Sequence, residues 1–178
     1  MSRADVMSSW DSARIVERIR SIVEASGRKD MAAFMPIGYE PDITPLFAEW
    51  LSKENHRLYL PVYEQEREAY GLAEITETSS QLSIGHHGIP EPLPSLPRRF
   101  PPFTSDVSLL WLVPGLAFDR NGARLGRGAG YYDRLLEGES GPKLGIGHDI
   151  QLVENLPSCP HDVRMDYVIT ESQCVSCV

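Results

Sequence analysis

"VSLLWLVP", residues 107–114, is the most apolar run in the chain. An uninterrupted apolar run of this length, without the alternation of a half-exposed strand, is typical of a strand buried on both faces. We therefore expect it to form a central strand of a sheet. Everything else in the sequence is arranged around this run.

Helical and strand-like segments alternate on both sides of the central run. Apolar residues at helical spacing predict a helix over 11–25, with Ser8, Ser9 or Asp11 as its N-cap, and a second helix begins after Thr44. Strands are predicted at residues 31–37, 57–63, 69–76, 142–148 and 165–170. This alternation favours a single layered α/β domain with a mostly parallel sheet.

Length, charge and cysteine content exclude several classes of protein. The 178 residues fit one domain with a real core, and the net charge of −8 argues against a general nucleic-acid surface. No apolar leader is visible, and no run approaches the ~20 apolar residues of a membrane span. Three late cysteines (Cys159, Cys174 and Cys177) suggest no disulfide framework. A cytoplasmic protein is the simplest interpretation, with a flexible tail at 172–178.

A proline-rich segment, "GIPEPLPSLPRRFPPF", occupies residues 88–103. Its proline density excludes a helix and a central strand, so we expect a stiff extended crossing on the surface. The pattern Leu93-Pro94-x-Leu96-Pro97 followed by Arg99 also matches what SH3-type domains recognise, so a partner-binding segment is the alternative.

A glycine-rich segment, "GARLGRGAGYYDRLL", occupies residues 122–136 and follows the central run after a tight turn at Asn121-Gly122. Alternating glycines let backbone N–H groups line a concave surface that suits phosphate oxygens. Arg124 and Arg127 add positive charge, and Asp133 offers an oxygen ligand to a divalent cation. From the residues alone, the segment is either a phosphate-binding loop or a connector.

Beyond these local patterns, the run "VPGLAFDRNGARLGRGAGYYDRLL", residues 113–136, resembles the signature of the 5-formyltetrahydrofolate cyclo-ligase family, also called methenyltetrahydrofolate synthetases. Further segments look like the family in the expected order: "GYEPDITPL", "GIPEP" and "PHDVRMDYVITE". The resemblance covers about residues 8–171. It implies a single three-layer α/β/α domain with a mostly parallel central sheet, of the CoA-transferase-like type.

The resemblance also implies a reaction. In this family, ATP and Mg²⁺ drive the conversion of 5-formyltetrahydrofolate to 5,10-methenyltetrahydrofolate, with release of ADP and phosphate. The formyl oxygen is phosphorylated, and a second nitrogen of the same folate then closes the ring. The implied partner is a small-molecule folate, polyglutamylated or not, bound by a monomer.

Roles carry over to the matching positions of this chain. ATP binding is implied for Arg124, Leu125, Gly126, Arg127, Gly128, Ala129, Gly130, Tyr131 and Tyr132. Folate binding is implied for Met35, Glu40, Arg127, Gly128, Ala129, Gly130 and Tyr131. Arg127 and Tyr131 are the implied catalytic residues, and Asp133 and Asp162 the implied metal ligands. Met35 is equally well explained as core, Tyr132 as core at the helix start, and Asp162 as a turn cap.

Two departures from the family pattern leave an alternative open. Family members carry a Lys-x-x-x-Arg-type pair on an opening helix, whereas Arg3 is the one basic residue before the predicted helix. Ala129 stands where lysine or glycine is common. The alternative is a family member that binds nucleotide or folate without efficient turnover.

Overall fold

The computed structural model describes residues 3–85, 88–103, 108–159 and 162–177, with side chains from Asp11 onward. Its helices are α1 (Arg3–Ser26), α2 (Pro45–Leu51) and α3 (Tyr131–Leu136), besides a 3₁₀ helix at Asp149–Gln151. Its strands are β1 (Asp30–Ala32), β2 (Arg57–Glu64), β3 (Ala69–Ile75), β4 (Leu82–Ile84), β5 (Pro90–Pro92), β6 (Arg98–Arg99), β7 (Leu110–Pro114), β8 (Ala117–Asp119), β9 (Arg124–Leu125), β10 (Lys143–Ile146), β11 (Leu152–Val153), β12 (Tyr167–Ile169) and β13 (Cys174–Ser176).

The apolar run forms β7, the central strand that the sequence predicts. Among the described residues, the large sheet has the order β13-β12-β10-β7-β1-β2-β3-β6. The five strands from β12 to β2 are parallel, whereas β13, β3 and β6 join antiparallel at the edges. β7 begins at Leu110, and Val107 lies outside the described residues. The predicted α/β architecture with a mostly parallel sheet is confirmed.

Two apolar cores lie on opposite faces of this sheet. Leu110 and Leu112 of β7 belong to the core under α1 and α2, whereas Trp111 and Val113 belong to the core under α3. All four of these side chains are fully buried. Burial on both faces explains why the run shows no polar alternation, since each of its side chains leaves water on folding.

α1 begins earlier than the sequence predicts. Ser8, Ser9 and Asp11 lie inside the helix, which is described from Arg3 onward, and they do not cap its start. α2 begins at Pro45 as predicted, with Thr44 as N-cap. The Thr44 hydroxyl makes no cap bond and donates instead to Asp42 at 2.7 Å.

No helix in the described ranges combines the length and apolar character that crossing a membrane requires.

The proline-rich segment is extended but partly ordered into strands. β5 pairs with β4 in a two-stranded sheet, and β6 forms the edge of the large sheet. Between them the Leu96 N–H donates to the Leu93 carbonyl at 3.1 Å, and the Leu96 side chain packs against the core. A polyproline helix has no such internal hydrogen bond, so residues 93–96 form a turn here and not the conformation that SH3-type domains recognise.

The end of the chain also differs from its prediction. Residues 174–176, expected in a frayed tail, form edge strand β13 antiparallel to β12. The turn between the two strands is closed by a hydrogen bond from Thr170 N–H to the Gln173 carbonyl at 2.9 Å. Val178 lies outside the described residues.

The connections on either side of β1 and β7 determine where a ligand can bind. From β1 the chain passes through α2 to β2 on one side, and from β7 it passes through α3 to β10 on the other side. The strand order therefore reverses between β1 and β7. In open α/β sheets, ligands bind beyond the carboxyl ends of the strands at such a reversal.

Candidate active site

A cleft of about 1920 Å³ opens at this reversal. One wall comes from the segment after β1, which includes Met35 and Glu40. The other wall comes from β9 and the glycine loop that follow β7. Every residue with a predicted site role lines this cleft, so the structure brings the predicted set together.

A buried carboxylate fixes the hairpin that carries Arg124. Asp119 is 2% exposed, and its Oδ1 accepts hydrogen bonds from the N–H groups of Asn121 and Ala123, both at 2.9 Å. Its Oδ2 accepts a third from Leu156 N–H at 3.0 Å. Three backbone donors on one carboxylate explain why an aspartate stands here. They also confirm the predicted turn at Asn121-Gly122.

Gln151 supports the other end of the same segment, and sequence reasoning missed it. Its amide nitrogen donates to the carbonyl oxygens of Gly115 and Leu116, at 2.7 and 3.2 Å. Its Oε1 accepts from His148 N–H at 2.7 Å. Gln151 thus ties the exit of β7 to the exit of β10. A lone glutamine in a polar stretch gives no sequence signal for such a role.

Arg124 is a buried cation at the wall of the cleft. Its side chain is 5% exposed, and Nη2 donates to both carboxylate oxygens of Asp133 at 3.2 Å. The guanidinium lies 5.5 Å from the ring centre of Tyr132, within cation–π range. Its Nε is buried without a hydrogen-bond partner among the described residues. A buried donor without an acceptor is costly, which favours a ligand atom at this place.

The glycine loop between β9 and α3 presents its backbone openly. No described residue accepts a hydrogen bond from the N–H groups of residues 126–130. Gly128 and Gly130 have φ of +88° and +60°, which only glycine adopts readily, and Ala129 between them avoids the left-handed region. A Cβ at Gly128 would meet nothing within 4 Å. Among the described residues, the loop N–H groups therefore have no protein acceptor, and the space beside Gly128 is open.

Arg127 and Glu40 meet across the cleft although 87 positions separate them. Arg127 Nη2 donates to Glu40 Oε1 at 3.1 Å. The second oxygen of Glu40 accepts from Ile37 N–H at 2.9 Å. Glu40 is 10% exposed and Arg127 is 56% exposed, so a fixed carboxylate holds a cation that remains open to solvent. Met35 lines the cleft and also packs against the core, so both of its interpretations stand.

Tyrosines form a continuous aromatic wall. Ring centres are 4.8 Å apart for Tyr63 and Tyr70, 4.0 Å for Tyr70 and Tyr131, and 5.2 Å for Tyr131 and Tyr132. Burial raises the pKa of Tyr131 and of Tyr132 above the ordinary tyrosine value. Both hydroxyls therefore stay protonated near neutral pH. These side chains can stack and donate but do not act as bases.

The two predicted metal ligands both have protein partners. Asp133 is paired with Arg124, and Asp162 Oδ2 accepts from Cys159 N–H at 2.6 Å, which is the turn-cap role. Pro160 and His161, the start of the matching motif, lie outside the described residues. Within the described part of the chain, no three His, Cys, Asp or Glu side chains cluster as a metal site. Asp133 and Asp162 thus line the same cleft, and both are oxygen ligands of the type that a hard divalent cation prefers.

Comparisons with known proteins agree with the resemblance in the sequence. A relative from Mycolicibacterium smegmatis named 5-formyltetrahydrofolate cyclo-ligase is 34% identical over 154 residues, 83% of this chain and 76% of the relative. The Escherichia coli protein of the same name is 34% identical over 146 residues, 80% of this chain and 78% of that one.

Structure comparison gives the same result. The structure of Aquifex aeolicus 5,10-methenyltetrahydrofolate synthetase aligns with a TM-score of 0.78 at 34% identity, covering 99% of this chain and 85% of that one. Residues 3–171 match the profile of a single family. The chain belongs to the 5-formyltetrahydrofolate cyclo-ligase family.

Proposed function

We propose that the chain converts 5-formyltetrahydrofolate to 5,10-methenyltetrahydrofolate in a reaction that needs ATP and Mg²⁺ and releases ADP and phosphate. The observation that carries the proposal is the contact between Arg127 and Glu40, which joins the glycine loop to the segment after β1 in one cleft. The glycine loop offers hydrogen-bond donors to phosphate, and the opposite wall offers a carboxylate with apolar neighbours. Family membership supports this activity, because the relatives are named for it.

ATP is a second substrate in this proposal, held by the loop from Arg124 to Tyr132. The N–H groups of residues 126–130, which lack protein acceptors among the described residues, are available to phosphate oxygens. The unpartnered Nε of Arg124 fits the same anion. Asp133 and Asp162 are the carboxylates that would hold Mg²⁺, and the ion would supply positive charge to offset that of the phosphates.

The folate lies on the opposite side of the cleft in this proposal. Glu40 accepts hydrogen bonds from the pterin, because its carboxylate is fixed by Ile37 and Arg127. Met35 supplies an apolar surface beside it, and Tyr131 contributes a ring face for stacking. The loop residues that touch the phosphates also touch the formyl end of the folate. These residues bring the two substrates together at the reacting atoms.

The reaction then needs positioning more than covalent chemistry from the protein. The formyl oxygen attacks the γ-phosphorus, a new oxygen–phosphorus bond forms, and ADP leaves with the electrons of the broken bond. The folate nitrogen at position 10 next attacks the activated carbon, loses its proton, and phosphate departs. Arg127 balances charge on the transferring group, and the cleft walls limit access of water.

Turnover of defined substrates tests the proposal directly. The purified chain is incubated with 5-formyltetrahydrofolate, ATP and Mg²⁺, and methenyl absorbance and ADP are followed together. We expect one ADP for each methenyl product, and no product when ATP or Mg²⁺ is omitted. Calorimetric binding of ATP or folate without product would instead support the alternative of a family member that binds without turnover.

We further propose that the active unit is a monomer. All the residues assigned to ATP, folate and Mg²⁺ line one cleft within a single chain. Size-exclusion chromatography with light scattering at assay concentrations checks this, and a stable dimer would contradict it.

A further inference from the structure

Arg134 is a cleft arginine to which the proposed function gives no role. The other described arginines that line the cleft each pair with a carboxylate: Arg98 with Glu64, Arg124 with Asp133, and Arg127 with Glu40. No carboxylate in the described part of the chain lies within ion-pair distance of Arg134. Its guanidinium contacts a carbonyl oxygen and an aromatic ring instead.

The Arg134 side chain reaches back from α3 to the glycine loop. Side chains of a helix point toward its N-terminus, so Arg134 is directed at the residues just before Tyr131. Its Nη2 donates to the Ala129 carbonyl at 2.7 Å. Its Nη1 lies beside the last glycine of the loop, since a Cβ at Gly130 would be 3.3 Å from that atom. The guanidinium is therefore packed against the peptide that joins Ala129 to Gly130.

An aromatic ring on β3 supports the same guanidinium. The Cζ atom of Arg134 is 4.8 Å from the ring centre of Tyr70, within cation–π range. Tyr70 in turn contacts Tyr63 and Tyr131, with ring centres 4.8 and 4.0 Å away. No described carboxylate competes with these contacts. Tyr70 and the Ala129 carbonyl thus hold Arg134 between β3 and the glycine loop.

The hydrogen bond from Arg134 determines which way the peptide between Ala129 and Gly130 faces. This peptide bond is trans, and in a trans peptide the carbonyl and the N–H point in opposite directions. Because the Ala129 carbonyl is turned toward Arg134, the Gly130 N–H points away from the guanidinium. That N–H has no acceptor among the described residues. Arg134 therefore holds a free donor in a fixed direction.

The glycine at the end of the loop explains why an anchor is needed. Glycine adopts positive and negative φ about equally readily, so the peptide before Gly130 can flip at little cost. Gly130 has φ of +60° in the orientation that Arg134 holds. The flipped peptide would present the Ala129 carbonyl where the Gly130 N–H now points, and a carbonyl oxygen repels phosphate. The bond from Arg134 favours the orientation that suits an anion.

We propose that Arg134 is a positioning residue for ATP, which holds the Gly130 N–H in the orientation that a phosphate oxygen requires. The assignment rests on the proposed function, in which the glycine loop binds the triphosphate. Arg134 acts through the loop backbone and not by contact with ATP. Without Arg134 the peptide samples both orientations, and ATP binds only the fraction of molecules with the N–H correctly turned. The apparent affinity for ATP falls by that fraction.

Arg134→Met tests the proposal, because methionine keeps an unbranched side chain and lacks the donor. We expect calorimetry with ATP and Mg²⁺ to show an apparent dissociation constant raised about tenfold. NMR relaxation of the Gly130 amide in the free chain should show a lowered order parameter or an exchange contribution that the wild type lacks. The kcat at saturating ATP should stay near the wild-type value, because bound ATP selects the correct orientation. Arg134→Lys, whose ammonium can donate to the same carbonyl, should recover part of the affinity.

A matched control removes a similar hydrogen bond far from the loop in sequence. Arg18 Nη2 donates to the Ser172 carbonyl at 2.7 Å, and Arg18 does not line the cleft. Arg18→Met should leave both the ATP affinity and the Gly130 amide unchanged. Circular dichroism and urea unfolding should show that every variant is folded.

Each other outcome overturns the assignment. An unchanged ATP affinity in Arg134→Met shows that the loop needs no anchor, and it leaves the proposed function intact. Weaker binding with an unchanged Gly130 amide, or a kcat that falls with the affinity, shows that Arg134 contacts ATP itself. If the wild type binds no ATP, the proposed function fails and the role of Arg134 fails with it.

Discussion

Replacing Arg127 with alanine is expected to impair catalysis far more than stability. The guanidinium is 56% exposed, and its described partner is Glu40 at 3.1 Å. An exposed ion pair contributes about 0.2–1 kcal/mol, a small part of the 5–15 kcal/mol by which domains of this kind are stable. Glu40 keeps its hydrogen bond from Ile37 N–H when Arg127 is removed. The free energy of unfolding should therefore fall by no more than about 1 kcal/mol.

The loss in catalysis follows from the proposed contact with a charged ligand. A hydrogen bond to a charged group is worth about 1.5–3 kcal/mol, and each 1.36 kcal/mol is a tenfold change in rate. Arg127→Ala should thus lower kcat/KM for ATP by about 10- to 150-fold. Steady-state kinetics at saturating folate measures this ratio, and urea unfolding measures stability.

A matched control uses an arginine with a similar ion pair away from the cleft. Arg20 on α1 pairs with Glu49 at 2.9 Å and does not line the cleft. Arg20→Ala should lose a comparable amount of stability and keep the wild-type kcat/KM. If the two variants have the same kcat/KM, Arg127 is ordinary surface and its assignment to phosphate and folate is wrong.

Three further predictions address the loop, the aromatic wall and the hairpin. Gly128→Val should lower ATP affinity at least tenfold, as measured by calorimetry. The φ of +88° is unfavourable for a β-branched residue, and the new side chain would enter the cleft. The control Gly27→Val, at φ +61° outside the cleft, should leave ATP affinity unchanged. Tyr131→Phe should keep most of kcat, because burial keeps the hydroxyl protonated and the ring itself makes the stacking contact. Tyr131→Ala should lose much of the turnover. It should also lower the free energy of unfolding by ~1 kcal/mol for the lost ring contacts, in addition to the effect of the lost buried area. Asp119→Ala should lower the free energy of unfolding by about 3 kcal/mol in urea, because three backbone N–H groups lose their acceptor; an unchanged midpoint would show that water replaces it.

The sequence predicted those helices and strands whose conformation is determined by residues close to them in the chain. The continuous apolar run identified β7 because burial on both faces removes any need for polar alternation, and Pro45 marked the start of α2 because proline suits a first helical turn. The predicted start of α1 was wrong because serine commonly caps helices, and Ser8 and Ser9 fit that pattern. Inside a helix, however, a serine lowers stability by only ~0.5 kcal/mol relative to alanine, so the helix continues through both residues. β13 was missed because three residues carry no periodicity, and pairing with β12 decides their conformation.

Contacts that build the cleft depend instead on which strand ends become neighbours. Glu40 follows β1 and Arg127 follows β9, and they meet because β1 and β7 are adjacent and their connections leave in opposite directions. Gln151 reaches Gly115 for the same reason, since β10 lies beside β7. A sequence pattern can name the residue types that bind phosphate, but strand order decides which carboxylate faces which cation.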